Sequence, residues 1–127
     1  MKDNLTNMDK AKLIFISLNT RDLSDLERYL ADNAELDFPG AGCMQGKRRV
    51  LLFFKVLFRK YSYLEFTVED VIVEGDRACV VWHNVGDDRK GNPYKNRGVT
   101  LVKMSEEKIL FISDYFKDTS FAFKPEK

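Results

Sequence analysis

The sequence has little of what the common metal sites and catalytic sites require. It contains one histidine, His83, and two cysteines, Cys43 and Cys79, that form no CxxC pair. Zinc-type ligand sets are therefore absent, and we expect reduced thiols, no metal and no cofactor. The net charge is only +1, so a clustered basic face for nucleic acid is not expected.

Long apolar runs are also missing. No stretch approaches the roughly 20 apolar residues of a membrane span, and the polar N-terminus lacks a signal-peptide core. We therefore expect a cytoplasmic protein with no membrane segment. Hydrophobic residues make up 44% and charged residues 32%, without a low-complexity run. This composition predicts one globular domain over residues 1–127, with loose tails at 1–5 and 122–127.

Helical periodicity appears in three segments of the first half. Apolar residues recur at spacings of three and four over residues 7–18, a shorter helix follows with its buried stripe at 23–30, and residues 47–61 have the strongest amphipathic pattern. Between the last two helices, Ala34 to Phe38 predicts a short strand. The segment PGAGCMQG at 39–46 predicts a loop.

The second half predicts four long strands. Residues 63–74 alternate at first but change phase past Glu69 and Asp70, which predicts a β-bulge. Strands at 77–85, 94–104 and 109–117 follow, joined by polar turns. Helices and antiparallel strands are segregated along the chain, which indicates the α+β class and not a doubly wound parallel sheet.

The last strand contains a carboxylate among apolar residues. Alternation predicts that Asp114 shares a face with Leu110, Ile112 and Phe116. A carboxylate on such a face is costly unless it is paired, protonated or used in a cavity. Asp114 is therefore either a pocket acid or base with a pKa raised by desolvation, or a strand aspartate hydrogen-bonded to Asn84, a tyrosine or the backbone.

Three segments carry a resemblance to a known family: YLADNAELDFPG at 29–40, GNPYKNRGVTLVKMSEEKI at 91–109 and ISDYFKDTSF at 112–121. Together with the element order, they resemble the SnoaL-like branch of the nuclear transport factor 2-like superfamily, which also resembles ketosteroid isomerase and limonene-epoxide hydrolase. The resemblance implies a cone-like, strongly curved, mainly antiparallel sheet wrapped around three N-terminal helices. It also implies a deep, mostly apolar pocket and an outer sheet face that often forms a dimer interface.

Only some of the charged catalytic residues of limonene-epoxide hydrolase have a counterpart in this sequence. Asp114 matches the aspartate that this relative uses in handling its water, but the other two charges of its triad fall on Trp82 and Asn84. Epoxide hydrolysis by that mechanism is therefore not expected. His83 alternates away from these residues, and we interpret it as an interface or satisfied sheet histidine.

The catalytic acid and base of ketosteroid isomerase also lack clear counterparts in this sequence. Its general base falls on Phe38, while Asp37 lies one residue earlier and on the opposite strand face unless the strand slips by one residue. Its oxyanion-hole acid falls near Thr100. The isomerase mechanism is therefore not expected in its known form either.

We predict a homodimer, formed through the outer sheet face, that binds a small apolar molecule and has no nucleic-acid or membrane partner. Asp114 is the predicted catalytic residue of a cofactor-independent isomerase, cyclase or hydratase. A non-catalytic ligand-binding or dimerisation module is the alternative, favoured by the missing charges. The predicted substrate-binding residues are Trp82, Asn84, Phe38, Phe54, Tyr61, Asn96, Thr100, Ile112 and Phe116.

Overall fold

The computed structural model describes residues 5–118. Except for Leu5, the predicted loose tails lie outside this range. The helices are α1 (Asn7–Thr20), α2 (Ser24–Tyr29) and α3 (Lys47–Lys60). The strands are β1 (Leu30–Phe38), β2 (Gly42–Gln45), β3 (Tyr61–Glu74), β4 (Arg77–Asp88), β5 (Pro93–Met104) and β6 (Ile109–Phe116). No described helix is long and apolar enough to cross a membrane.

The six strands form one sheet in the order β2-β1-β6-β5-β4-β3, and only the β1–β6 pair is parallel. Helix α3 packs against both β1 and β3. These strands are four spacings apart in the sheet order, and α3 runs directly into β3 at Tyr61. The sheet stays open because β2 and β3 are its edges. This architecture confirms the predicted α+β class and cone-like sheet.

Two of the register shifts in the sheet bear on the predicted side-chain alternation. The register changes between Val68 and Asp70, which confirms the predicted bulge in β3. A second irregularity lies in the β5–β6 pair, where Met104 opposes Ile109 and Lys103 opposes Phe111. Leu110 is the extra residue. The prediction that Leu110 shares the face of Asp114 was therefore wrong: Ile109 is buried, while Leu110 is 38% exposed.

The glycine-rich segment at 39–46 contains a strand, so the loop prediction was wrong there. Strand β2 pairs antiparallel with β1, with Phe38 opposite Gly42. Gly40 and Gly42 both have positive φ, at 85° and 77°. Glycine adopts this conformation without steric cost, so these residues build a tight hairpin turn and do not prevent pairing. Strand β1 also begins earlier than predicted, at Leu30.

Helix α1 carries a buried lysine that the apolar periodicity does not predict. The helix begins with a capping box in which Thr6 and Asp9 each accept a hydrogen bond from the other residue's backbone N–H. One turn later, Lys10 is 1% exposed, and its Nζ donates to the carbonyls of Ser105 (3.2 Å) and Glu106 (2.6 Å). Burial lowers the pKa of Lys10. This side chain ties α1 to the turn before β6.

Two arginines bind the C-terminal end of α3. Arg21 donates to the carbonyls of Phe58 (2.8 Å) and Tyr61 (3.0 Å). Arg89 donates to the carbonyls of Arg59 (2.5 Å) and Phe58 (3.2 Å). The last carbonyls of a helix lack helical partners and carry partial negative charge, so these guanidinium groups complement them. They tie the end of α3 to the segment after α1 and to the turn after β4.

The edge strand β3 is joined to α1 by one side chain. Asn19 Nδ2 donates to the carbonyl of Phe66 (2.9 Å), and Asn19 Oδ1 accepts from the N–H of Phe66 (2.7 Å). An edge strand offers unpaired backbone groups that could recruit another strand. The asparagine amide occupies one such donor and acceptor and thereby protects part of the edge.

We expect Asn19→Ala to lower the free energy of unfolding by about 1–2 kcal/mol, because two hydrogen bonds to the Phe66 backbone are lost together. Urea unfolding followed by circular dichroism measures this change. The matched control is Asn33→Ala, at an exposed position in β1, where we expect a change within about 0.5 kcal/mol. Equal effects at the two positions would contradict the proposed role of Asn19.

Candidate active site

Three neighbouring strands place the candidate site on the inner face of the sheet. Thr100 of β5 opposes Asp114 of β6, and Gly98 of β5 opposes both Phe116 of β6 and Trp82 of β4. Directly paired residues point to the same face of a sheet. The register therefore brings together four of the residues predicted from the sequence, although they are far apart along the chain.

A hydrogen-bond chain runs through these residues. The indole Nε1–H of Trp82 donates to Thr100 Oγ1 at 2.9 Å. Thr100 Oγ1 in turn donates to Asp114 Oδ1 at 2.7 Å. Trp82 and Thr100 are fully buried, whereas Asp114 is partly exposed. The hydrogen-bonding partner of the carboxyl group is thus Thr100, and not Asn84 or a tyrosine as the sequence suggested.

The pKa of Asp114 is well above the ordinary value of an aspartate. Burial raises the pKa of Asp114 to about 7, the hydrogen bond from Thr100 acts in the opposite direction, and the charge of Asp37 adds a smaller upward effect. A carboxyl group with such a pKa is present in both protonation states near neutral pH. It can therefore accept a proton and also donate one under the same conditions.

Aromatic rings form the apolar wall beside Asp114. Phe38 packs against Phe116 at a centroid distance of 5.2 Å and against Phe53 of α3 at 4.7 Å. Trp82 packs against Phe116 at 5.3 Å and against Phe66 at 5.1 Å. These edge-to-face and tilted contacts are favourable arrangements of aromatic pairs. They join α3 and four strands of the sheet into one apolar surface, and Phe116 of this surface lies two residues from Asp114 on the same face.

Asp37 does not lie on this surface. In the parallel pairing of β1 with β6, Leu36 lies beside Ile112 and Asp37 beside Ser113. Leu36 is fully buried, while Asp37 is exposed. Because side chains alternate, the next residue, Phe38, returns to the inner face. The strand has therefore not slipped, and Asp37 points away from the site.

A second group of predicted residues lies farther along β5. Asn84 opposes Asn96, four residues from Thr100 and hence roughly 13 Å away. Asn96 Nδ2 donates to the hydroxyl of Tyr94 (3.0 Å), whose ring packs against Tyr61 at 5.2 Å. Asn84 is 3% exposed, and within residues 5–118 its Oδ1 has no hydrogen-bond partner. The structure does not bring this group to Asp114.

The remaining predicted residues belong to the core. Ile112 is 1% exposed and Phe54 is 2% exposed. Sequence reasoning missed Phe53 and Phe66, which are only partly buried and contact the rings next to Asp114. Phe53 widens the apolar stripe of a helix and Phe66 lies on the apolar side of an alternating strand. Neither pattern distinguishes a site wall from core packing.

Groups that could hold a metal are not assembled in the described part of the chain. Residues 5–118 contain no cluster of three His, Cys, Asp or Glu side chains placed for a metal ion. His83 lies on the outer face, where its Nδ1 is 2.6 Å from Glu69 Oε2 at the bulge of β3. His83 is thus a hydrogen-bonded sheet histidine, separated from Asp114 by the sheet.

Comparison with known proteins identifies relatives of this fold. A family model described as a SnoaL-like domain matches residues 14–112. A protein assigned as a SnoaL-like polyketide cyclase from a Jannaschia species has a TM-score of 0.78 at 20% identity, covering 92% of both chains. A nuclear transport factor 2-like protein of unknown function from Burkholderia pseudomallei has a TM-score of 0.82 at 19% identity, covering 91% of this chain and 92% of its own.

A third similar structure is TerC, co-crystallised with polyporic acid. Its TM-score is 0.80 at 16% identity, covering 91% of this chain and 94% of its own. At these identities the likenesses establish the fold and not an activity. No curated protein matches the sequence.

The raised pKa of Asp114 predicts a specific pH dependence of stability. The pKa is about 7 in the folded protein and about 3.9 in an unfolded chain. The folded state therefore binds the proton more tightly, and the free energy of unfolding decreases as pH rises from about 4 through about 7. We expect Asp114→Asn to remove this decrease and to be more stable than the wild type at about pH 8, by about 1–4 kcal/mol.

Urea unfolding across this pH range measures the effect. Asp76→Asn, which removes an exposed turn carboxylate, is the charge-matched control and should keep the wild-type slope. If Asp114→Asn and the wild type lose stability in parallel, Asp114 does not titrate as described.

Proposed function

The chain belongs to the SnoaL-like domain family, and on this premise we propose that it is a cofactor-independent isomerase or cyclase that transfers protons through Asp114. The proposal rests mainly on one observation: a partly buried carboxyl group with a pKa of about 7 lies against an aromatic wall. Perturbed carboxyl groups in apolar surroundings are typical of catalytic acids and bases. The ligand is a small, largely apolar molecule.

A single carboxyl group is sufficient for these two reaction types. The carboxylate of Asp114 takes a proton from a carbon next to a carbonyl group and leaves an enolate. In an isomerisation, the resulting carboxylic acid returns the proton to another carbon of the same molecule. In a cyclisation, the enolate carbon bonds to a second carbonyl carbon, and the acid protonates the new alkoxide. In both reactions the atoms and charges balance without an oxidant, a reductant or an activated water.

The surroundings of Asp114 indicate how the negative charge of the enolate is stabilised. Within residues 5–118, no lysine, arginine or histidine forms an ion pair with Asp114. We therefore expect a substrate whose enolate spreads its negative charge over a second carbonyl group or an aromatic ring. The Jannaschia relative, assigned as a polyketide cyclase, and TerC, co-crystallised with polyporic acid, support a ligand of this kind.

Hydration is a weaker candidate than isomerisation or cyclisation. A hydratase must activate water and also protonate the substrate, which usually requires two groups with separate roles. The positions that carry the partner charges in limonene-epoxide hydrolase are Trp82 and Asn84 in this chain. A non-catalytic binding module would need no second charge, and this remains the alternative.

Proton exchange on a model carbon acid tests the proposal without knowledge of the natural substrate. The probe is 2-tetralone, a bicyclic ketone whose enolate is delocalised into its aromatic ring. We expect the protein to accelerate exchange of its α-protons in deuterated buffer, followed by proton NMR. Asp114→Asn should slow the catalysed exchange by about 100-fold or more, as is typical for loss of a general base.

Asp37→Asn is the control, because it removes a neighbouring carboxylate from the opposite face of the sheet. We expect this variant to exchange within about threefold of the wild type, since only its distant charge effect is lost. Unchanged exchange in Asp114→Asn would remove Asp114 as the base. A ligand retained in native mass spectrometry, without exchange or product, would favour the binding module.

We also propose a homodimer formed through the outer face of the sheet. Large apolar residues are exposed on this face, including Ile72 at 57%, Tyr115 at 56% and Val85 at 43%. Exposed apolar side chains on one face of a sheet favour an interaction surface there. A second copy of the chain would cover these side chains while leaving the inner face, with Asp114, accessible.

We expect Tyr115→Asp to convert the dimer into a monomer, because an unpaired carboxylate would be buried in the interface. Light scattering after size-exclusion chromatography measures the mass. Ile16→Asp is the matched control, since Ile16 on α1 is also 56% exposed but lies outside the sheet; this variant should remain dimeric. A monomeric wild type would overturn the proposal.

A further inference from the structure

We infer that Trp82 and Thr100 are positioning residues that assign different roles to the two oxygens of Asp114. In this arrangement Oδ1 is held as a hydrogen-bond acceptor, and Oδ2 is the atom that takes and returns the proton. The inference rests on the proposed acid–base function for its catalytic meaning, but the hydrogen-bond chain itself can be tested without any substrate.

The direction of the chain follows from the donors and acceptors available. An indole N–H can only donate, so Trp82 must donate to Thr100 Oγ1 across their 2.9 Å contact. A threonine hydroxyl has a single hydrogen, which is then free to point at Asp114 Oδ1, 2.7 Å away. With Oδ1 as the acceptor, both bonds form and the threonine hydrogen also has a partner.

Burial maintains this direction. Thr100 is 0% exposed and Trp82 is 1% exposed, so water does not compete for either group. Reversing the chain would require Asp114 to donate from Oδ1, which leaves Thr100 Oγ1 with two donors and an unplaced hydrogen of its own. In a buried site, a hydroxyl hydrogen without an acceptor is unfavourable. The proton of neutral Asp114 is consequently carried by Oδ2.

Gly98 makes room for the indole that begins the chain. A Cβ atom at this position would lie 3.0 Å from Trp82 Cζ2 and would collide with the backbone carbonyl oxygen of Tyr115. Only glycine allows the Trp82 ring to lie this close to β5. The ring reaches Thr100 because the residue beside it has no side chain.

Carboxyl-carbon NMR of the labelled full-length protein tests the role of Thr100. Thr100→Val keeps the shape of the side chain but removes the hydroxyl that stabilises the carboxylate. We expect the midpoint of the Asp114 titration to rise by about one pH unit. Thr100→Ser, which restores a hydroxyl, should return the midpoint to within about 0.3 unit of the wild type. Thr67→Val, at an exposed position of β3, is the matched control and should cause no shift.

The indole signal provides an independent measurement. The sequence has one tryptophan, so its Nε1–H resonance is unambiguous. We expect this resonance to titrate with the same midpoint as the Asp114 carboxyl group in the wild type, and to lose that titration in Asp114→Asn. This comparison remains decisive if Thr100→Val does not fold.

Two results would overturn the inference. One is an indole Nε1–H resonance that does not change with pH as Asp114 titrates, and the other is an unchanged Asp114 midpoint in Thr100→Val. These results are separate from the exchange experiment. A coupled titration without catalysed exchange would leave the hydrogen-bond chain intact and remove the proposed function. Catalysed exchange that depends on Asp114 but not on Thr100 would support the proposed function and overturn the positioning role of Thr100.

Discussion

The pairing register of β4, β5 and β6 is the constraint on which the site depends. Thr100 opposes Asp114, while Gly98 lies between Trp82 and Phe116. Because side chains alternate with a period of two, a slip of one residue would send these groups to the opposite face. Gly98 reinforces this register, since a side chain at its position would collide with the indole and the neighbouring backbone.

Much of this arrangement could be predicted from local patterns. The long strands, the bulge near Glu69 and the inward face of Asp114 all follow from alternation, which depends only on neighbouring residues along the chain. The same alternation keeps Asp37 outside the site, as its pairing with Ser113 shows. These features required no knowledge of which strands become neighbours.

The features that sequence reasoning missed depend on contacts between distant segments. The bulge at Leu110 is visible only from the partners of Met104 and Ile109. Lys10 is buried because two carbonyls of a turn about 95 residues away accept its hydrogens. Thr100 could not be selected as the partner of Asp114 because the strand offset is a property of the whole sheet. A single sequence contains no local signal for such pairings.

Within residues 5–118 no cation forms an ion pair with Asp114, and this bears on the chemistry proposed for it. A cation at the position of Trp82 would favour the carboxylate and lower the pKa of Asp114, as neighbouring positive charges do. The neutral chain through Thr100 opposes burial only in part, and the pKa remains about 7. A strongly acidic carboxyl group would be almost fully ionised at neutral pH and would be a weak base. The neutral chain therefore favours reactions in which the same group first removes a proton and then gives it back.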